Sequence, residues 1–354
     1  MKTPSQLRGR GSASNPKNRF ESLARVLEPM DADEVSSPAT QFFPDRSKSI
    51  IATNDSPDVG FDASINPYRG CEHGCVYCYA RPTHEYLGFS AGLDFETRIM
   101  VKERAPELLR QELSSPKWEP RVLAMSGVTD CYQPAEKRLE LTRRCLGVLL
   151  EFRNPVTVVT KNALVVRDID LLSELAKHQC AAVFISLTTL DEKLSGLMEP
   201  RASRPARRLA AIEALARASI PVGFLLAPMI PGLTDSEAPA VARAAAGAGA
   251  RYAGYVALRL PHGVKELFET WLEQHYPRKK DKVINRVRAV RSGKLNDPRF
   301  HNRMKGEGIF AEQMAALFRV ACRKAGIHER APHLSTEQFR RSTEQLSLFS
   351  HSAA

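Results

Sequence analysis

Five apolar runs, Val122–Met125, Val156–Thr160, Ala181–Leu187, Val222–Ala227 and Tyr252–Leu258, recur roughly every 30–40 residues and alternate with helical patterns. Strands and helices alternating at that spacing mean βαβ units and a parallel sheet. A further short strand near Ala63–Asn66 makes six. Continuous apolar strands of this kind are expected to be buried on both faces. Right-handed crossovers leave two outcomes, an open doubly wound sheet or a partly closed barrel. In either, a site belongs at the C-terminal ends of the strands.

The intervening helices are readable from their stripes. Arg138–Phe152 places Leu139, Cys145, Leu146, Leu149 and Phe152 on one face, and Asp168–Lys177 does the same with Leu171, Leu172 and Leu175. Ala206–Ala218 and Ala238–Ala248 are Ala-rich. Beyond Pro261 the rhythm changes to two charged helices, Val264–His275 and Asp281–Val290. A Gly-, Arg- and Asn-rich loop, Arg291–Gly308, and an amphipathic helix over Ala311–Ala325 follow. The chain therefore divides into an irregular arm (1–58, with one helix over Arg19–Val26), an alternating strand–helix region (59–262), a helical extension (263–334) and a polar, frayed tail (335–354).

Of 354 residues, 51 are Lys or Arg and 40 are Asp or Glu, a net charge of +11. That surplus permits a polyanionic partner such as nucleic acid, and equally a basic surface with no such role. Met1–Ala13 lacks the apolar core of a signal peptide, and no run approaches the ~18 apolar residues of a membrane span. A cytoplasmic location with reduced cysteines is the expectation.

Of the 7 cysteines, three crowd into Cys71-Glu-His-Gly-Cys75-Val-Tyr-Cys78. Gly70 and Gly74 let such a loop curl, and Pro67, Tyr68, Pro82 and Gly88 mark it as loop rather than helix. A structural zinc with His73 or His84 as fourth ligand is one reading. An iron–sulfur cluster with one iron left open is another. Cys145, Cys180 and Cys322 lie on apolar stripes or at a strand start and read as core.

The C-x3-C-x2-C spacing with Tyr77 before the third Cys resembles the signature of the radical SAM superfamily. Asn66–Cys71, Cys78-Tyr79-Ala80-Arg81 and Ser126–Pro134 are similar to the branch related to spore photoproduct lyase, often labelled DNA repair photolyase-like. The resemblance runs from about Asn54 to Gly326. It implies a partial (β/α)6 barrel and a [4Fe–4S] cluster on Cys71, Cys75 and Cys78. It also implies S-adenosylmethionine on the fourth iron, cleaved reductively to a 5′-deoxyadenosyl radical that abstracts hydrogen from substrate. An electron donor such as flavodoxin or ferredoxin is implied too. The arm and the C-terminal region do not resemble those of the sporulation enzyme.

Carried over position by position, the resemblance places Tyr77, Gly127, Thr129 and Asp130 near the cofactor. Lys161, at a strand end, is a partner for the methionine carboxylate. Ser186 (or Thr188 on the same face) suits the ribose, and Glu199 and Arg201 are candidates to lie over the cofactor. Cys131 is a candidate hydrogen donor, or else a packed thiol. Arg69, Arg81, Arg201 and the Arg299–Lys305 loop would make a positive mouth, with Tyr79 or Tyr132 stacking a base. The rival for these arginines is loop bracing through Glu72, Glu85 or Glu199. A radical enzyme acting on a peptide or metabolite, and a zinc-stapled nucleic-acid module, are the alternative functions.

Overall fold

The computed structural model describes residues 7, 9–21 and 38–341. Its strands, in chain order, are β1 (Gln41–Pro44), β2 (Ile51–Thr53), β3 (Ala63–Ile65), β4 (Tyr68–Arg69), β5 (Arg98–Val101), β6 (Leu123–Met125), β7 (Val156–Thr160), β8 (Ala181–Ser186), β9 (Val222–Met229) and β10 (Tyr252–Ala257). Seven form one sheet in the order β10-β9-β8-β7-β6-β3-β2. All neighbours in it are parallel except β2, which pairs antiparallel with β3. The six parallel strands stand in chain order, so right-handed crossovers put every connecting helix on the same side. The result is the partial (β/α)6 barrel that the resemblance implied.

Strand alternation separates the two faces of the sheet. Ile65, Met125, Val156, Val158, Val183, Ile185, Val222, Phe224 and Leu226 join the main core. They pack there against Leu146, Leu149, Leu172, Leu175, Ile212, Leu215 and Val241 from the surrounding helices. Thr157, Val159, Leu225, Gly254 and Val256 point the other way and are only half-buried. The expectation of burial on both faces thus holds for β8, buried at all six positions, but not for β7 or β10. Their inner face carries none of the connecting helices, which the right-handed crossovers put on the other side.

The expected helix over 138–152 is two helices, Glu136–Leu139 and Leu141–Phe152, broken at Glu140, where φ is +51°. The cause is the buried Glu136 carboxylate. It accepts from Thr142 N at 3.0 Å and Arg143 N at 3.3 Å, and so caps the second helix. It also takes the Tyr68 hydroxyl at 2.5 Å.

The arm is more ordered than its composition suggests. β1 pairs parallel with β5 in a three-stranded sheet completed by β4, and β2 extends the main sheet. The helix expected over 19–26 lies mostly outside the described residues, and 19–21 are irregular. The tail is docked as far as it is described: Phe339 packs on Phe152 with ring centroids 6.2 Å apart, and Arg340 N donates to the Phe152 carbonyl at 2.9 Å. The helices Val264–His275 and Pro277–Ala289 build a second core, in which Phe268, Trp271 and Val283 gather with Cys75, Val76 and Tyr77. Among the described residues no helix is long and apolar enough to cross a membrane.

Candidate active site around the cysteine loop

The loop after β4 holds Cys71 and Cys75, both buried, and Cys78, half-buried; none is in a disulfide. The backbone turns twice, Gly74 N donating to the Cys71 carbonyl at 3.4 Å and Cys78 N to that of Cys75 at 3.2 Å. Gly74 makes the first turn at φ +68°. After Cys78 the chain enters a 3-10 helix, Arg81–Leu87, where the composition had pointed to loop. Neighbouring elements grip the loop by its backbone and leave the thiols unspent. Cys71 N donates to the Phe95 carbonyl at 2.9 Å, Val76 N to that of Met198 at 3.0 Å, and Arg201 N to that of His73 at 3.2 Å. Arg81 Nε donates to the Cys75 carbonyl at 2.9 Å.

The arm straps the outside of this loop. Gly11 N and Ser12 N donate to the two Glu96 carboxylate oxygens at 3.0 and 2.9 Å, and Arg81 pairs with the same carboxylate at 2.5 Å. Arg81 and Glu96 are both fully buried, so Arg81 is a brace and not part of a positive mouth.

On the inner side, the turn after β6 is organised by Asn66, whose Oδ1 accepts from Val128 N at 2.8 Å. A Cβ at Gly127 would lie 2.8 Å from the Ser64 Cβ, so only glycine fits there. Thr129 and Asp130, expected beside the cofactor, are committed to protein partners. Thr129 Oγ1 donates to the Tyr68 carbonyl at 2.7 Å. Asp130 accepts from Thr160 Oγ1 and Lys161 N, each at 2.7 Å, and lies 3.3 Å from His73 Nδ1. Burial would raise the Asp130 carboxyl, but the His73 ring and these donors hold it at about 2. Asp130 therefore positions Lys161 and His73.

Lys161 Nζ donates to the Ala227 carbonyl at 3.2 Å and stands 5.9 Å from the Tyr77 ring centroid. Among the described residues it has no ion pair. Ser186 shares the inner face with Phe184 by alternation and pairs in register with Leu225. Lys161 thus lies beside Tyr77 of the cysteine loop, and Ser186 ends β8 on the inner face.

Glu199 is not free to lie over a cofactor. Its carboxylate takes the Tyr77 hydroxyl, the Thr188 hydroxyl at 2.8 Å and the Arg208 guanidinium. All of these groups are buried. Burial would raise its carboxyl, and Arg208 and Lys161 hold it at about 2. Arg208 escaped sequence reasoning; its one signal is an Arg on the apolar face of the helix Pro205–Arg217. Arg201 is also reassigned, since it pairs with Glu72 at 2.9 Å. Cys131 is fully buried in the main core, not at a mouth, and its amide donates to Ser126 Oγ at 2.8 Å. Tyr132 is buried too, bonded to Asp168 at 3.0 Å.

The remaining cations of the expected mouth are largely neutralised. Arg69 pairs with Asp45 at 3.0 Å, Arg299 with Asp297 at 2.6 Å and Arg303 with Asp58 at 2.6 Å. His84 is buried against the Arg98 carbonyl at 2.9 Å, and burial brings its ring down to about 4. Tyr79 is different: 45% exposed, it donates its hydroxyl to the Gly127 carbonyl at 3.0 Å. The Arg259 guanidinium, from the end of β10, lies 4.7 Å from its ring centroid.

The radical SAM superfamily model matches residues 65–245, and this chain belongs to that superfamily. It is a radical SAM enzyme with the fold of spore photoproduct lyase. A mutant of that lyase with bound AdoMet and dinucleoside spore photoproduct superposes with a TM-score of 0.58 at 16% identity, over 81% of this chain and 80% of that one. An uncharacterized protein of Mycobacterium tuberculosis is 34% identical over 287 residues, 79% of this chain and 81% of its own. Another, from Methanocaldococcus jannaschii, is 28% identical over 223 residues, 63% of this chain and 80% of its own.

Membership implies adenosylmethionine and a [4Fe–4S] cluster, and the donor set fits the latter. Burial pushes the Cys71 thiol up, and Asp130, Cys75 and Cys78 push it further, so the three thiols are within electrostatic reach of one another. Burial likewise raises Cys75. Thiols that burial keeps protonated become thiolate ligands when a bound metal centre supplies positive charge. Among the described residues no three His, Cys, Asp or Glu side chains are drawn in around a single point, as one metal ion would need.

Proposed function

We propose that this radical SAM enzyme abstracts hydrogen from a nucleic-acid base or a closely related anionic substrate. The observation that carries the reading is the Tyr79–Arg259 pair beside the cysteine loop. Tyr79 offers an exposed ring, and Arg259 Nε is buried with no hydrogen-bond partner among the described residues. An aromatic face with an unspent cation suits a stacked base and its phosphate. The net charge of +11 favours the same class of ligand. Spore photoproduct lyase, with the same fold, has been solved with a dinucleoside spore photoproduct.

In this reading Cys71, Cys75 and Cys78 hold the cluster, which with adenosylmethionine supplies the hydrogen-abstracting radical. Lys161 pairs its ammonium with the methionine carboxylate. Ser186 offers a hydroxyl to the ribose, and the Gly127 carbonyl accepts from the methionine ammonium once Tyr79 releases it. Tyr77, clamped by Glu199 and Thr188, is a fixed wall.

The test is titration of labelled single-stranded and duplex DNA and RNA at two ionic strengths, with Arg259→Ala and Tyr79→Ala beside the parent. Binding that falls steeply with salt and weakens in both variants supports the reading. No binding at low salt removes the nucleic-acid substrate and leaves the enzyme class standing.

A further inference from the structure

The two edges of the main sheet, β2 and β10, stand at opposite ends of its strand order, yet the segments beside them are joined through Asp58. Asp58 lies in the loop between β2 and β3, with its side chain almost wholly covered. Its carboxylate accepts from His301 N and from Arg303 Nε, each at 2.6 Å, and the exposed His301 ring lies 3.8 Å away. Arg303 also donates to Ser56 Oγ in the same loop. The segment carrying Arg303 is tied in turn to the end of β10. Arg291 Nη1 donates to the Asn302 carbonyl and its Nη2 to the Ala257 carbonyl, both at 2.7 Å. One carboxylate thus bridges the open side of the barrel. The bridge is held against a backbone preference. His301 has φ +68° and ψ −36°, a strained conformation for any residue but glycine, and its amide is the one bonded to Asp58.

Asp58 also faces the second guanidinium of this region. Burial lowers the Arg259 pKa, Tyr79 and Asp58 oppose that and Arg303 adds to it, so Arg303 and Asp58 are within electrostatic reach of Arg259. Asp297 and Glu307, the other carboxylates of the loop that carries Arg303, pair with Arg299. Asp58 is therefore the carboxylate that Arg259 and Arg303 share. Each of these arginines lies against an exposed ring: Arg259 is 4.7 Å from the Tyr79 centroid, and Arg303 is 4.7 Å from that of Phe300. Two ring–cation pairs on one carboxylate match the repeat of a strand, in which bases alternate with singly charged phosphodiesters. We infer that Asp58 stands in for a substrate phosphate: a binding strand puts a phosphodiester in its place on Arg303 and Arg259, and the bridge across the barrel parts. One negative charge replaces another, so neither guanidinium is left unpaired at any stage. The inference rests on the nucleic-acid reading given above and adds to it an internal competitor that keeps the empty site shut.

The experiment uses the full chain with its cluster reconstituted, as the parent, Asp58→Asn, Arg303→Gln and the double variant. Asp62→Asn is the charge-matched control, since Asp62 ends the same loop, is exposed and pairs with Arg121. Binding of labelled single-stranded DNA and RNA is measured by anisotropy. Asp58→Asn should bind about tenfold more tightly than the parent and Asp62→Asn within about twofold of it. The gain should vanish when Arg303 is Gln, because the released guanidinium is then missing. Hydrogen exchange of the parent gives a second reading. A bound strand should speed exchange in peptides covering 54–62, whereas a loop that merely touched the ligand would slow. Should Asp58→Asn fail to fold, the parent's exchange carries the test. The inference is overturned, with the nucleic-acid reading left standing, if the parent binds but Asp58→Asn binds no tighter, if Asp62→Asn gains as much, or if 54–62 slows on binding. No binding by the parent and Asp58→Asn alike removes the nucleic-acid reading and this inference with it.

Discussion

Gly11 lies so tightly on Gly74 that a Cβ at position 11 would fall 1.7 Å from the Gly74 carbonyl oxygen. The arm is therefore pressed against the turn that gathers Cys71, Cys75 and Cys78. Gly11→Ala should lift the strap, cost about 1–3 kcal/mol by overpacking, and leave the reconstituted cluster more exposed to oxygen. Unfolding curves and the rate of bleaching in air measure the two effects. A bleaching rate equal to the parent's would mean that the strap does not shield the loop.

Each of Cys71→Ala, Cys75→Ala and Cys78→Ala should lose the cluster while keeping the fold, because the loop's backbone is held by Phe95, Met198 and Arg81 and not by the thiols. Iron content and far-UV circular dichroism give the two readings. Full iron retention in any one variant would contradict the assignment of that cysteine.

Lys161→Met keeps the stem and removes the charge. Affinity for adenosylmethionine should fall about tenfold or more, the loss expected for a charge-assisted pair, with iron content unchanged. Calorimetry on the reconstituted protein decides, and parent-like affinity would place the carboxylate elsewhere.

Glu199→Ala leaves the Arg208 guanidinium buried with its carboxylate removed, and should cost about 3–5 kcal/mol. Glu199→Gln retains hydrogen-bonding capacity and should cost less. The pH dependence follows from the depressed carboxyl. Its stabilising contribution is complete above the ordinary value of 4.5 and is lost as pH falls toward about 2. His84 acts over a higher window. Its ring, lowered from 6.5 to about 4, stays neutral in the folded state, so stability declines as pH falls through that interval. Denaturant midpoints should therefore drop in two stages on acidification. His84→Gln should shrink the upper stage, to which His275, also lowered by burial, contributes the remainder; an unchanged upper stage would locate it outside His84.

Cys131→Ala tests the buried thiol. Packed in the core with no surface exposure, it should matter to stability by about 1 kcal/mol and leave adenosylmethionine cleavage intact. Loss of 5′-deoxyadenosine formation with parent-like stability would restore a chemical role.

What could be read from the residues, and what could not, divides along the range of the interactions. β7 matches its apolar run to the residue, and the helix Val264–His275 matches its stripe, because both signals are local. The arm strands β1 and β2 are short and mostly exposed, so no alternation betrays them; their order comes from pairing with β5 and β3. Glu136 reads as an ordinary charge and Glu199 as a cofactor contact, since their burial depends on Tyr68, Tyr77 and Arg208 arriving from distant parts of the chain. The Tyr79–Arg259 contact joins residues 180 positions apart and leaves no local trace. By contrast the cysteine spacing and the positions of Lys161 and Ser186 at strand ends are properties of short segments, and Lys161 stands beside Tyr77 of the cysteine loop.

The stacking of β3, β6, β7, β8, β9 and β10 in chain order has a consequence for biosynthesis. Each strand leaving the ribosome meets a partner already made, so the barrel can grow from one end without waiting for distant segments. The cysteine loop is the exception. Its strap at Gly11 and Ser12 can close once Glu96 has emerged, but the opposite wall, Trp271 and Val283 packed in one core with Cys75 and Tyr77, comes nearly two hundred residues later. A nascent chain that has finished its barrel therefore still lacks that wall beside Cys75 and Tyr77.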